Sequence, residues 1–319
     1  MALIDTSQFC GIFAAAICPM HADFRIDEAA FRRHIGGLAA VPGIRGFLIN
    51  GHAGENMALA RAEKRRIVEM AGEAVPDGCL LVAGVNAESS LEAAEQARDA
   101  EAAGADAIMV FPPNAWALPV APQTIVSHHR YVLDATSLPI FLYFAPVSTG
   151  PMAYDAEVIS RLVRLPRIAG IKEGSWETAR YEANRRLVKV IAPHVRVMAS
   201  GDEHLLPTFV LGSEGSLVSL AVIVPEVIVE LEAAARRNDL VAARAQHKII
   251  YPLTRAIYGT PPGAHATARL KTCLKLLGRL DCDATRPPLG PLPDSEVAML
   301  RQALGEAELL PARSARSRA

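Results

Sequence analysis

Three groups of residues in this sequence combine types and spacings suited to chemistry. Lys172 closes the apolar segment Ile168-Ala169-Gly170-Ile171. An amine at the end of such a segment is partly desolvated, which disfavours the ammonium form and lowers its pKa. A neutral amine can attack a ketone and form a Schiff base. The alternative for Lys172 is a structural ion pair with Glu173 or Glu55. Tyr143 lies at the end of the preceding apolar segment. A phenol there could relay protons to and from a carbinolamine oxygen or a substrate hydroxyl. Its alternative is packing at a rim with the hydroxyl bonded to backbone. The turn Gly51-His52-Ala53-Gly54-Glu55 can bring successive backbone N–H groups close to a small carboxylate, with glycine permitting the dihedrals. Many strand-to-helix turns need glycine, so the pattern is weak alone.

These residues share a position in a recurring unit. Short apolar runs occur at Ile12–Cys18, Gly46–Asn50, Leu80–Val85, Ala107–Phe111, Ile140–Phe144, Ile168–Lys172, Val197–Ser200 and Ser216–Leu220, each followed by helical patterning. The first seven begin 27 to 34 residues apart, about the span of a βαβ unit. The eighth comes early, which predicts a short seventh helix. Strands that are nearly continuously apolar are buried on both faces, as in a parallel sheet covered by helices. Eight such units predict an α/β fold, a (β/α)8 TIM barrel over residues 1–237, rather than an open doubly wound sheet. Segments 239–258, 264–278 and 294–308 predict a C-terminal helical appendage over 238–310, and 311–319 reads as a disordered basic tail. Asp27 and Ser89 are placed to open helices, Thr178 to Ile191 patterns as another, and His128-His129 is expected to face solvent from an outer helix. In a barrel, chemistry belongs at the carboxyl ends of the strands.

Composition narrows the class. The 33 Lys+Arg against 34 Asp+Glu leave no charge excess to draw the chain to nucleic acid or an anionic membrane. Only six of those basic residues are lysine, so one inside an apolar segment stands out. A hydrophobic content of 51% excludes disorder as the main state. Five cysteines without a C-x-x-C pattern point to a reducing, cytoplasmic compartment. The apolar run Phe9–Met20 has Asp5 and no basic residue in its flank, unlike a secretory signal, and no membrane span is expected. There is no His/Cys set with metal-ligand spacing, no phosphate-binding glycine loop and no G-x-S-x-G, so no metal or cofactor is expected.

Taken in order, G-x-x-G-E after strand two, Tyr-x-x-Pro after strand five, Gly-Ile-Lys-Glu at strand six, Ser200-Gly201-Asp202 and Gly215-Ser216-Leu217 resemble the dihydrodipicolinate synthase/N-acetylneuraminate lyase family over roughly residues 8 to 300. The resemblance implies a (β/α)8 barrel with extra C-terminal helices, a homotetramer built as a dimer of dimers, and class I aldolase-type chemistry on 2-oxo acids without a cofactor. It implies Lys172 as the Schiff-base lysine and Tyr143 as the proton shuttle. It implies that Gly51, His52, Ala53 and Gly54, with Glu55 closing the motif, hold the 2-oxo acid carboxylate, and that the Leu217 carbonyl faces the pyruvyl group.

The departures bear on the second reactant. The synthases typically carry Thr-Thr where this chain has His52 and Ala53, a cross-dimer tyrosine where it has Asn114, and a carboxylate-gripping arginine where it has Ser148. The implied reading is therefore an aldolase or dehydratase with an outer pocket rebuilt around His52, Asn114, Trp116, Ser148 and Glu203, with His52 as an acid/base or carboxylate partner. The alternatives are a true synthase condensing pyruvate with aspartate semialdehyde, with Arg180 or another arginine standing in for the missing one, and a non-catalytic 2-oxo acid binder.

Overall fold

A computed structural model describes residues 5–310 of the chain; the expected tail at 311–319 lies outside them. Eight parallel strands close into a barrel in chain order. They are β1 (Gly11–Ala15), β2 (Ile44–Ile49), β3 (Leu80–Val85), β4 (Ala107–Val110), β5 (Ile140–Phe144), β6 (Ile168–Glu173), β7 (Arg196–Ala199) and β8 (Gly215–Val218). The helices after them are α1 (Glu28–Ala39), α2 (Arg61–Ala74), α3 (Ser90–Ala102), α4 (Pro122–Ala135), α5 (Ala156–Leu162), α6 (Thr178–Ile191), α7 (Leu205–Val210) and α8 (Pro225–Arg236). Three further helices follow: α9 (Leu240–Ile257), α10 (Ala266–Leu276) and α11 (Asp294–Glu306). This is the (β/α)8 barrel with additional C-terminal helices that the recurrence predicts.

Strand alternation divides the core into two layers. In β5, Ile140, Leu142 and Phe144 face the helices, whereas Phe141 and Tyr143 face the barrel axis. Phe13, Phe111, Phe141 and Leu217 fill the cylinder and are fully buried; burial of one such side chain stabilises the fold by about 1.5–3 kcal/mol. A register irregularity between Ile140 and Phe141 sets Gly170 opposite Phe141 and Lys172 opposite Tyr143. A Cβ on Gly170 would lie 2.2 Å from Phe141 Cε1, so the ring occupies the space that a side chain would need.

Helix starts follow local chemistry. The Asp27 side chain accepts from Ala30 N at 2.8 Å and Ser89 Oγ accepts from Leu91 N at 3.2 Å. Proline opens α4 and α8, where its missing N–H is not needed. Helix α7 is a short turn of six residues, as the early eighth run implied. Two strands end two or more residues before their apolar runs do. After Ala15 the chain makes one more bond, Ala16 N to Leu48 O, and leaves the sheet. After Val218, Leu220–Val222 coils into a 3-10 turn across the barrel mouth.

His128 and His129 are buried, which corrects their expected exposure. Helix α4 is flanked by α3 and α5, and it turns both rings inward. His128 Nδ1 lies 3.0 Å from Ser90 Oγ, and His129 Nδ1 donates to the Ile125 carbonyl at 2.8 Å. Among the described residues no helix is long and apolar enough to cross a membrane.

Candidate active site

Tyr143 and Lys172 end adjacent strands and are register partners, so both side chains enter the barrel at its carboxyl end. Lys172 is 9% and Tyr143 7% exposed, so each is desolvated yet keeps an opening to the mouth. Lys172 Nζ stands 5.8 Å from the Tyr143 ring centroid. Burial pushes the Lys172 pKa down, opposed in part by the Asp202 carboxylate. Burial likewise pushes the Tyr143 phenol up, with the Glu173 charge adding to it, so the hydroxyl holds its proton.

Both ion-pair alternatives for Lys172 are excluded. Glu173 faces outward, where its carboxylate accepts from Asn184 Nδ2 at 2.8 Å and Ser175 Oγ at 3.0 Å. The Glu55 carboxylate is committed to Lys271 and to the Arg286 amide.

The glycine turn forms a short 3-10 helix, His52–Gly54. The amides of Gly54 and Asn56 bond to the Gly51 carbonyl and that of Glu55 to the His52 carbonyl. The His52 and Ala53 amides are left at the open first turn, where a helix start presents N–H groups to an anion. Neither glycine has a positive φ, which corrects the expectation that they are needed for dihedrals; both sit in close quarters. Gly51 has φ −85°, and a Cβ on it would lie 3.0 Å from Leu48 Cδ2; one on Gly54 would lie 3.2 Å from the Ala16 carbonyl oxygen. The left-handed residues are those that flank the turn, Asn50 at φ 55° and Glu55 at φ 58°.

The His52 ring lies over Phe111 at 4.6 Å between centroids and edge-on to Tyr143 at 5.3 Å. Its edge is open to the mouth. His52 is exposed at the rim, and desolvation of its covered face, with the Lys172 charge second, lowers its pKa from the ordinary histidine value. Leu217 is fully buried in the barrel interior and pairs with Phe13.

Sequence reasoning gave no role to a second group at this end of the barrel. Asp202 is buried, and its Oδ1 accepts from Leu220 N at 3.0 Å. Burial pushes its carboxyl pKa up, while the Leu220 amide and Lys172 draw it down. The Tyr258 hydroxyl meets Ser219 Oγ at 2.5 Å, and its ring packs against Trp176 at 5.4 Å. Asp202 was detectable as an acid just past the end of β7. Tyr258 was not, because only the docking of α9 brings it to the mouth.

The outer-pocket residues are less united. Asn114 and Ser148 lie exposed on neighbouring rim turns, and Asn114 Nδ2 points to Met57 Sδ at 3.6 Å. Trp116 is buried against His128, 5.3 Å between centroids, which removes it from the rebuilt pocket. Glu203 Oε1 pairs with Arg255 at 3.3 Å. Arg180 donates to the Tyr154 carbonyl at 2.7 Å. Among the described residues no three His, Cys, Asp or Glu side chains converge as a metal site.

Comparison with known proteins shows the family and the fold. The family model described as the dihydrodipicolinate synthetase family matches residues 8–307. A 4-hydroxy-tetrahydrodipicolinate synthase of Methanothrix thermoacetophila is 31% identical over 301 residues, covering 93% of this chain and 96% of that protein. One from Nitrobacter hamburgensis is 30% identical, covering 97% and 100%. The solved E. coli prophage protein YagE, of the dihydrodipicolinic acid synthase family and in complex with pyruvate, matches with TM-score 0.85 at 26% identity, covering 95% of this chain and 99% of that one. A monomeric dihydrodipicolinate synthase variant shares the fold, with TM-score 0.86 at 23% identity over 97% of this chain and 100% of its own.

Proposed function

The chain belongs to the dihydrodipicolinate synthetase family, and on that premise we propose that it is a Schiff-base-forming lyase whose imine forms on Lys172. One observation carries the assignment of residues: Lys172 and Tyr143 pair in register, facing into the carboxyl end of the barrel. The Lys172 nitrogen attacks the keto carbon of a 2-oxo acid, and Tyr143 gives the proton that lets the carbinolamine oxygen leave as water. The His52 and Ala53 amides receive the substrate carboxylate. In the cleavage direction the C4 hydroxyl gives its proton to Tyr143, left as phenolate by carbinolamine dehydration, as the C3–C4 bond breaks. The bonding electrons move to the imine nitrogen, C4 departs as a carbonyl compound, and an enamine of pyruvate remains. Protonation at C3 and hydrolysis then release pyruvate. In a dehydratase the same imine acidifies C3, and the C4 hydroxyl leaves as water. The imine is the electron sink, so no cofactor enters the scheme.

The position aligned with the synthases' carboxylate-gripping arginine is Ser148, which supplies no charge to the non-pyruvyl fragment. Arg180 donates one N–H to the Tyr154 carbonyl, and Arg255 is paired with Glu203. The curated relatives favour a second reading, the synthase reaction with pyruvate and aspartate semialdehyde. Incubation with pyruvate and borohydride followed by intact mass tests the imine. A Lys172 adduct that is lost in Lys172→Ala supports it. No adduct with any 2-oxo acid leaves only a non-catalytic binder. Turnover of aspartate semialdehyde, set beside a series of neutral hydroxylated 2-oxo acids, separates synthase from lyase. A homotetramer, a dimer of dimers, is part of the same reading. Met57 and Leu118, 61% and 74% exposed on the rim near Asn114, are apolar surface that such an assembly would cover; a monomer or a dimer in sedimentation would overturn it.

A further inference from the structure

The turn that offers the His52 and Ala53 amides is held from outside the barrel. Lys271, on α10, is fully buried and ion-paired to Glu55, whose side chain is 3% exposed. Lys271 Nζ also donates to the Ala284 carbonyl at 2.7 Å. The second Glu55 oxygen accepts from the Arg286 amide at 2.8 Å. One turn earlier on α10, Thr267 Oγ1 donates to the His52 carbonyl at 3.3 Å. The Arg286 guanidinium reaches the Ala58 carbonyl at 2.9 Å and the Glu63 carboxylate at 2.6 Å, fastening the chain on the far side of the turn.

Glu55 sits in the left-handed region, at φ 58°. A non-glycine residue there costs about 1–3 kcal/mol and persists only where its surroundings over-determine it. Its carboxylate, buried in an interior ion pair, supplies that constraint. The pair itself is weak evidence for stability, since two buried charges lose much of their hydration. Its geometric effect is specific: it fixes the residue that closes the turn, and through the Glu55 N to His52 O bond it fixes the peptide beside the two open amides.

We propose that Lys271, with Thr267 in support, is a positioning residue for the carboxylate-binding turn. The C-terminal helices thereby set the affinity for the 2-oxo acid without touching it. The inference rests on the reading that this turn receives the substrate carboxylate. The natural single variant strands a buried carboxylate, so the informative change is Lys271→Met with Glu55→Leu, which removes both charges. Trapping of the pyruvate imine by cyanoborohydride is followed against pyruvate concentration in the full-length protein, with thermal unfolding measured alongside. The double variant is expected to raise half-saturation tenfold or more while the trapping rate at saturation changes less than threefold. Lys271→Arg is expected to restore half-saturation to within a few-fold of wild type. Half-saturation within twofold of wild type in a folded double variant would overturn the proposal, whatever happens to the melting temperature. If the double variant does not fold, Thr267→Val keeps the ion pair and reads the same quantity; a threefold or greater rise supports the proposal and no rise overturns it. Absence of any adduct in the wild-type protein is a different result and overturns the function itself.

Discussion

Tyr143 and Lys172 are Cα partners across the parallel pair β5 and β6, with the amine 5.8 Å from the phenol ring centroid. The irregularity between Ile140 and Phe141 produces this pairing. The strands alone bring the two groups together, so the proposed nucleophile and the proposed proton donor stand at one site in the barrel mouth.

The two roles separate under mutation. Lys172→Ala is expected to abolish the pyruvate adduct. Tyr143→Phe keeps the amine and the packing but loses the hydroxyl. It should still form the adduct, more slowly, and lose about 10²–10⁴-fold in turnover. Intact mass and steady-state rates on the same preparation check this; a Tyr143→Phe enzyme with wild-type turnover would remove Tyr143 from the mechanism.

Asp202 tunes the amine. Burial lowers the Lys172 pKa and the Asp202 carboxylate raises it, because a nearby negative charge favours the ammonium. Removing that charge in Asp202→Asn should lower the amine pKa further. The rise in imine formation with pH, which follows the neutral amine, should therefore move to lower pH in the variant. A profile that moves to higher pH, or does not move, would show that Asp202 does not act on Lys172.

Much of this site was legible because barrel geometry converts sequence position into spatial position. Once eight apolar runs define eight strands, the ends of strands two, five and six must share one mouth, and Gly51, Tyr143 and Lys172 follow. What was not legible depends on side-chain direction and on docking. Glu55 stands one residue after the turn, yet its carboxylate answers to Lys271, 216 residues away. Trp116 reads as an outer-pocket residue and His128 as a solvent-facing one, but the packing of α4 between two helices makes them partners. Tyr258 reaches the mouth only because α9 folds back over the barrel, and no local pattern encodes that contact.

Gly170 is required by the interior beneath the site. A methyl group there would lie 2.2 Å from the fully buried Phe141 ring, which has no free space to enter. Gly170→Ala is expected to destabilise the fold by about 1–3 kcal/mol, the usual cost of overpacking. Combining it with Phe141→Leu should recover part of that loss. Urea unfolding of the two single variants and the double variant measures the coupling; purely additive effects would mean that the ring and the glycine do not share the space.

Acid stability is set in part by the helix layer. Burial pushes the His128 and His129 pKa values down to about 4, against about 6.5 in the unfolded chain. Above the unfolded value both rings are neutral in both states, and their contribution is complete. As pH falls from about 6.5 toward 4, only the unfolded state takes up protons. Stability then drops by up to about 3 kcal/mol per histidine before levelling off. Between pH 7.5 and 5 the loss is about 2 kcal/mol for each ring. His129→Phe keeps an aromatic ring beside Tyr154, whose centroid is 6.2 Å from that of His129, and removes one titrating group. The difference in unfolding free energy between the two pH values should shrink by about 2 kcal/mol in the variant. An unchanged difference would mean that this histidine is protonated in the folded protein and that its burial does not govern acid sensitivity.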